Sequence, residues 1–254
     1  MENSTHDLKI LAIDIGGSHI KATILDRAGT LIRDYERMET PVPADPANVL
    51  QVIRTLVQNF PEYDRVSVGF PGYVKQGIIK TAPNLGTEAW KDFNLEHELA
   101  KMLAKPTRVV NDADLQGVGV VSGKGLEMMI TLGTGFGTAL LQDGKLLPHL
   151  ELSHHPVKKD KIYDDYIGEK AFQSKGDKIW NERIAEVIEI LKTVFNYDHL
   201  YISGGNAKKI NFKLDNNITV VNNRAGIKGG ANLWKDDQPA RVMQIEGGSN
   251  NSLY

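Results

Sequence analysis

Asp14-Ile15-Gly16-Gly17-Ser18-His19-Ile20-Lys21 sits between two apolar runs, Ile10-Leu11-Ala12-Ile13 before it and Ala22-Thr23-Ile24-Leu25 after it. Each run reads as a buried strand. The turn between them holds adjacent glycines, a hydroxyl and a lysine. Glycine lets backbone N–H groups come close to a ligand and tolerates positive φ. A concave row of such N–H groups binds anions, phosphate above all. Asp14 closes the first strand, where a carboxylate can hold hydrated Mg²⁺ against phosphate oxygens. The spacing is not that of a P-loop, and no helix follows the glycines as a dinucleotide fold requires. An ordinary hairpin with a Gly-Gly turn is the alternative.

The pattern recurs in Met128-Met129-Ile130-Thr131-Leu132-Gly133-Thr134-Gly135-Phe136-Gly137-Thr138-Ala139-Leu140-Leu141. Strand, glycine turn with hydroxyls and strand follow in the same order. Each copy then meets a polar turn, Asp26-Arg27-Ala28-Gly29 and Asp143-Gly144-Lys145. The same distance separates Asp14 from Asp26 and Thr131 from Asp143, and an apolar pair follows each turn. An internal repeat of this kind predicts two similar lobes that face one polyanion. Gly16, Gly17, Ser18 and Lys21 are its first phosphate set; Gly133, Thr134 and Gly135 are its second.

The bulk of the chain narrows the field. At 254 residues it can bury a sizeable core, in one large domain or two lobes. A formal net charge of −2 gives no basic field for nucleic acid. The absence of cysteine rules out disulfides, thiol catalysis and Cys-ligated zinc, and fits a reducing cytoplasm. Met1 to Asp7 lacks the apolar core of a signal peptide, and no run reaches the roughly 18–20 apolar residues of a membrane span. Gln244 to Tyr254 reads as a frayed tail. The lobes are expected at 1–112 and 113–240, with 241–254 as a flexible tail.

Between the hairpins the candidates lie at strand tips. Pro46 suits the first turn of a helix whose apolar stripe is Val49, Val52, Ile53, Leu56, Val57 and Phe60, with Pro61 as its stop. The strand from Arg65 runs into Phe70-Pro71-Gly72-Tyr73, a rigid turn of the kind that carries ligand loops. Asn84 offers a donor and an acceptor, suited to a hydroxylated ligand or to a turn. Leu95, Leu99, Met102 and Leu103 mark a helix. The strand from Thr107 to Val110 delivers Asn111-Asp112-Ala113-Asp114. A carboxylate here can accept a hydroxyl proton, as phosphoryl transfer to an alcohol needs. It can equally serve as the N-cap of the helix that follows. Ile184 to Phe195 is a helix, and His199 to Ser203 a strand that ends at Gly204-Gly205-Asn206. Ala207-Lys208-Lys209 is expected to place a helix N-terminus and two lysines beside a phosphate. Ile218 to Val221 is a strand, and small residues from Asn223 to Ala231 begin a closely packed helix.

DxGGSxxK at Asp14, NDAD at Asn111, TLGTGxG at Thr131, ExxH at Glu151 and a strand ending in GGN at Gly204 occur in an order that resembles the ROK-type sugar kinases, within the actin/hexokinase/Hsp70-like superfamily. The polyphosphate glucokinase branch is the most similar, and the resemblance runs from about Lys9 to about Trp234. It implies an α/β protein of two actin-like (ribonuclease H-like) lobes around a cleft. It implies phosphoryl transfer from polyphosphate or ATP, with Mg²⁺, to the 6-hydroxyl of glucose. In that family Asp112 matches the base; Asn84, Asn111, Glu151 and His154 match sugar ligands, with Gly72 in the same loop set. Glu169 is the candidate second sugar glutamate. Gly204, Gly205 and Asn206 match the donor site. Many ROK kinases carry a CxCGxxGC zinc site after the histidine; this chain has none, so no zinc is expected. The family's glycine before that histidine is Ser153 here. A homodimer in the cytoplasm, with no nucleic-acid or membrane partner, completes the expectation. Lys208, Lys209 and Lys228 are candidates for a basic donor track. Lys158, Lys159 and Lys161 read as a solvated loop. A non-catalytic ROK-type sugar sensor, a kinase for another hexose, and an ATPase or phosphatase on the same fold are the alternatives.

Overall fold

Apolar runs bounded by turn residues become strands, and the amphipathic stretches become helices that cover them. The computed structural model describes residues 8–222 and 226–235. The first half runs β1 (Ile10–Ile15), β2 (His19–Leu25), β3 (Leu31–Glu39), α1 (Pro46–Val57), β4 (Arg65–Phe70), β5 (Val74–Lys75), β6 (Ile78–Ile79), α2 (Thr87–Trp90), α3 (Leu95–Leu103), β7 (Thr107–Asn111) and α4 (Asp112–Val120). The second half runs β8 (Leu126–Leu132), β9 (Phe136–Gln142), β10 (Lys145–Leu146), a 3-10 turn (Leu152–His154), β11 (Pro156–Lys158), β12 (Lys161–Ile162), α5 (Tyr163–Ile167), α6 (Glu169–Phe195), β13 (His199–Ser203), a second 3-10 turn (Ala207–Lys209), β14 (Ile218–Val220) and α7 (Gly229–Asn232). The Met1–Asp7 segment, Asn223 to Ala225 and the expected tail lie outside the described residues.

The sequence repeat is a topological repeat. One five-stranded sheet has the order β3-β2-β1-β4-β7, the other β10-β9-β8-β13-β14. In each, the glycine hairpin is an antiparallel pair, β1 with β2 and β8 with β9. In each, the first hairpin strand also pairs in parallel with the next strand of the sheet, β1 with β4 and β8 with β13. The central strands β1, β4, β8 and β13 are buried on both faces, which is why most of them read as continuous apolar runs.

Local signals account for most boundaries. Asp45 accepts from Asn48 N–H and caps α1, with Pro46 at the first helical position. The helix stops at Val57, short of Pro61, because proline disfavours helical backbone in the residue before it and the last turn closes earlier. α6 begins at Glu169, well before the periodic stretch from Ile184, and breaks at Gly176. Its first turns carry Lys170, Gln173, Ser174 and Lys175, so no apolar stripe announced them.

The outer faces of the sheets are covered separately. Val49, Ile53, Leu95 and Leu99 pack with Ile13, Ile24 and Val68; Trp180, Ile184, Val187 and Leu191 pack with Met128, Ile130 and Ile202. The inner faces share α4 and α7. α4 packs against β4, β8 and β9, with Leu115 and Val118 among Met129, Ala139 and Leu141. Ala231 of α7 packs with Ile10, Ala12 and Leu25 of the first sheet. The two helices cross at backbone contact: a Cβ on Gly229 would stand 1.7 Å from Leu115 O, and one on Gly119 2.6 Å from Gly229 N. Only glycine permits this crossing. Ser67 Oγ donates to Gly230 O at 2.6 Å and accepts from Trp234 Nε1 at 2.8 Å, which ties the end of the described chain to β4.

Candidate active site

The site gathers around the first turn of α4, where both hairpins arrive. β7 delivers Asn111 and Asp112. Asn111 is the N-cap: its Oδ1 accepts from Ala113 N–H at 2.8 Å and from Asp114 N–H at 3.3 Å. Its Nδ2 donates to Gly72 O at 3.0 Å, which pins the Phe70–Tyr73 turn to the helix start. The capping duty that the sequence left open between Asn111 and Asp112 thus falls to Asn111. Its acceptor is spent there, so a sugar contact is left to its second amide hydrogen.

Asp112 occupies the first helical position, and its Oδ1 accepts from Ala113 N–H at 2.8 Å. Burial pushes its carboxyl up, and the charge of Asp14 pushes it further, to about 7. A carboxylate poised there is suited to take a proton at neutral pH. Asp14 lies one residue before the end of β1 and meets Lys21 Nζ at 3.4 Å. A cavity of about 220 Å³ opens beside Asp14, Lys21 and Asp112, with Tyr35, Gln116 and Ile227 on its wall.

The hairpin turns are shaped by their surroundings. In the first, Thr40 Oγ1 donates to Gly16 O at 2.6 Å and Thr40 N–H to Ser18 O at 3.0 Å, so the end of β3 holds the turn's carbonyls. Gly17 and Ser18 are exposed, and Asn84 stands over Gly17, whose added Cβ would lie 3.4 Å from Asn84 Cβ. In the second, Asp164 Oδ1 accepts from Phe136 N–H at 2.7 Å and leaves Thr134 exposed at the tip. None of Gly16, Gly17, Gly133 and Gly135 is among the positive-φ glycines. They serve close approach, not left-handed backbone; a Cβ on Gly133 would meet nothing within 4 Å. At the third tip, Gly204 does need its freedom: φ is 96° and a Cβ would lie 2.2 Å from Leu132 O. That contact seats the Gly204-Gly205-Asn206 turn on the second hairpin, and Asn206 Nδ2 donates to Gly133 O at 3.3 Å.

Glu151 and His154 lie together in the Leu152–His154 turn, His154 Nε2 3.9 Å from Glu151 Oε2. His149, not singled out in the sequence, bridges two carboxylates. Its Nδ1 is 3.0 Å from Asp114 Oδ2 and its Nε2 3.2 Å from Glu151 Oε1. Burial pulls its pKa down, but these two partners outweigh burial and raise it to about 10. Tyr73 stacks on its ring at 5.8 Å between centroids. The readable signal was its place two residues before Glu151; Asp114, far off in sequence, was beyond it.

Three expectations are corrected. Glu169 does not join Glu151 and His154. Its Oε2 accepts from Asn206 Nδ2 at 2.6 Å and pairs with Lys209 Nζ at 3.6 Å, because α6 starts against the Gly133–Thr134 carbonyls. The carboxylate that shares a field with Glu151 and His154 is Asp164, held up by burial. Ala207–Lys209 is a single 3-10 turn, too short to build a helix dipole. The three lysines of the donor track do not converge. Lys209 faces Glu169 and the Phe172 ring, while Lys228 lies against Gly29, at the end of β2 opposite the Gly16–Gly17 turn. Lys158 is exposed, as a solvated loop residue is, and pairs at the surface with Glu186 at 2.9 Å.

Among the described residues no group of three or more His, Cys, Asp or Glu side chains is arranged to hold a metal. Asp14 still fits Mg²⁺: its carboxylate borders the cavity beside Lys21, and Mg²⁺ takes its remaining ligands from water and phosphate.

Two sheets of one topology, each offering a glycine hairpin to a shared α4, make the two-lobed actin-like ATPase fold. The chain belongs to the ROK family: that family's model matches residues 10–151. It is 32% identical over 237 residues to polyphosphate glucokinase of Mycobacterium tuberculosis strain H37Ra, covering 86% of this chain and 88% of that protein. The solved inorganic polyphosphate/ATP-glucomannokinase of Arthrobacter sp. strain KM superposes with a TM-score of 0.75 at 30% identity, over 89% of this chain and 97% of that one. A ROK family glucokinase from Streptomyces griseus, solved with glucose and AMPPNP, shares the fold with a TM-score of 0.71 at 19% identity, over 89% of this chain and 98% of that one.

Proposed function

We propose that the chain is a glucokinase that moves a phosphoryl group from polyphosphate or ATP to the 6-hydroxyl of glucose. The observation that carries this is the placement of Asp112. A half-buried carboxylate with a pKa pushed up to about 7 stands just past the tip of β7, beside the first glycine hairpin and one residue from the α4 turn on which the second hairpin packs. Family membership and the Mycobacterium and Arthrobacter relatives above support the choice of sugar and donor.

In this reading Asp112 takes the proton from the sugar O6. O6 forms its bond to the terminal phosphorus as the bridging P–O bond breaks, and the donor leaves one phosphate shorter. The exposed turns at Gly16-Gly17-Ser18 and Gly133-Thr134-Gly135 hold the donor oxygens with backbone N–H groups, and Lys21 adds its charge. Asp14 would hold Mg²⁺, which supplies charge neutralisation at the phosphate oxygens. Glu151, His154, Asn84 and the remaining amide hydrogen of Asn111 bind the sugar, with Asp164 beside them. Gly204, Gly205 and Asn206, with Glu169 and Lys209, border the donor end of the second hairpin. The lobes are taken as residues 1–112 and 113–240, and their closure keeps water from the phosphoryl group. A cytoplasmic homodimer fits the absence of cysteine and the resemblance.

The test is sugar phosphorylation by purified protein with glucose and Mg²⁺, with polyphosphate or ATP as sole donor. Turnover with either is expected. Turnover with ATP alone would remove polyphosphate from the reading. No product from several hexoses with either donor would overturn the kinase and favour a sugar sensor.

A further inference from the structure

We propose that His149 is a positioning residue for the sugar: it bridges Asp114 and Glu151, anchors one oxygen of Glu151 and leaves the other to accept from a sugar hydroxyl. The inference rests on the sugar-kinase reading of Glu151. Its own foundation is geometric. Both ring nitrogens of His149 face carboxylate oxygens within hydrogen-bond distance. An ionised carboxylate only accepts, so a ring that satisfies both partners must donate from both nitrogens and carry a positive charge. The side chain is 6% exposed, and Tyr73 covers one face, so the ring has no room to turn away. Oδ1 of Asp114 is buried with no hydrogen-bond partner among the described residues, which leaves the His149 contact as the compensation for that carboxylate.

The bridge sets what Glu151 can do. Oε1 is held by His149, while Oε2 lies near Ser153 Oγ, at 3.4 Å, and the exposed His154 ring. Glu151 therefore offers one acceptor on the side where His154 is open to solvent. Asp114 sits on the same helical turn as Asp112. The carboxylate that reads the sugar and the one that takes its proton are thus referenced to one rigid element, and relative placement of this kind governs reactivity. The charged groups that face the ring are Asp114 and Asp112 from α4 and Glu151 from its own segment, with Tyr73 stacked on it. His154 and Asp164 stand beyond Glu151.

The experiment compares His149→Gln and Asp114→Asn with wild type for KM of glucose, KM of donor, kcat and pH dependence. Glutamine cannot bridge both carboxylates. His149→Gln is expected to raise the glucose KM by about tenfold or more, with donor KM and kcat within about threefold. In Asp114→Asn the ring keeps a hydrogen-bond acceptor but loses a counter-charge. Its glucose kcat/KM should acquire a basic limb, below about pH 9, that wild type lacks. Folded variants with unchanged glucose KM and pH profile would overturn the proposal, as would equal rises in both KM values. If His149→Gln does not fold, ¹⁵N spectra of the histidine rings in wild type decide the matter. Two protonated nitrogens on His149 at about pH 8 support the bridge, and a neutral tautomer overturns it. A wild type that phosphorylates no hexose overturns the kinase reading, and the spectra still report the bridge by themselves.

Discussion

At the scale of single residues, Asp112, proposed above as the base, would set function against stability. Its carboxyl stands at about 7 where an ordinary aspartate stands near 3.8. A folded-state pKa raised in this way means the folded protein prefers the protonated acid. The stability it contributes is present at low pH and is lost as pH rises from the ordinary value through about 7. One pKa unit is about 1.4 kcal/mol, so an ionised Asp112 costs the fold on the order of a few kcal/mol at neutral pH. Asp112→Asn should therefore lower kcat by about 10²-fold or more, leave glucose affinity by calorimetry nearly intact, and raise Tm. A variant with near-normal turnover would remove Asp112 as the base. Wild-type kcat/KM should fall as pH drops below about 7, because the base must be ionised to accept.

Motif residues are the ones whose placement the sequence anticipated most directly. Asp14 and Asp112 border one cavity, the glycine turns lie at the hairpin tips, and Glu151 and His154 lie 3.9 Å apart. His149 and Asp164 were not legible. Each acts through a partner brought by another segment, Asp114 for the one and Phe136 for the other. Glu169 was misassigned for the same reason: its neighbours Asn206 and Lys209 come from the far side of α6.

At the scale of elements, the connection from α4 to β8 is organised by one buried carboxylate. Glu127 is fully buried and accepts from Ser122, Gly123 and Lys124 N–H and from Tyr201 O–H. Burial pushes its pKa up, but these donors outweigh it and hold it below the usual value. With a depressed pKa, its contribution to stability is present above the unfolded value and lost as pH falls through the folded one. Glu127→Ala leaves backbone donors without an acceptor and should cost about 2–4 kcal/mol, read as a lower midpoint in urea. An unchanged midpoint would mean that the loop repacks around water. The glutamate lies within an apolar strand, and nothing in its local sequence reveals the loop folded around it.

For the whole molecule, the decisive contact is the crossing of α4 and α7, which joins the two sheets. Gly229→Ala drives a methyl into Leu115 O, which stands 1.7 Å from the required position. The helices must part, the Ser67–Gly230 and Trp234 contacts loosen with them, and Tm should fall by several degrees, since about 1 kcal/mol moves Tm by about 2–4 °C in a domain of this size. The variant should also lose coupling between the lobes, seen as hydrolysis of the donor without sugar. A variant that keeps both Tm and the sugar requirement would show that the crossing does not govern closure.

The sequence by itself determined the repeat. Two strand–glycine–strand units at matched spacing dictate two similar sheets, because hairpin register and apolar alternation are local properties of the chain. It also determined the helix at Pro46 and the strand that carries Asp112. Tertiary structure alone decided that Asn111 caps α4 while Asp112 borders the cavity, that Lys209 and Lys228 stand apart, and that His149 joins Asp114 to Glu151. These depend on which distant groups meet in a buried, low-dielectric place, where an unpaired charge or donor is costly and every partner matters. A linear pattern carries no record of that meeting.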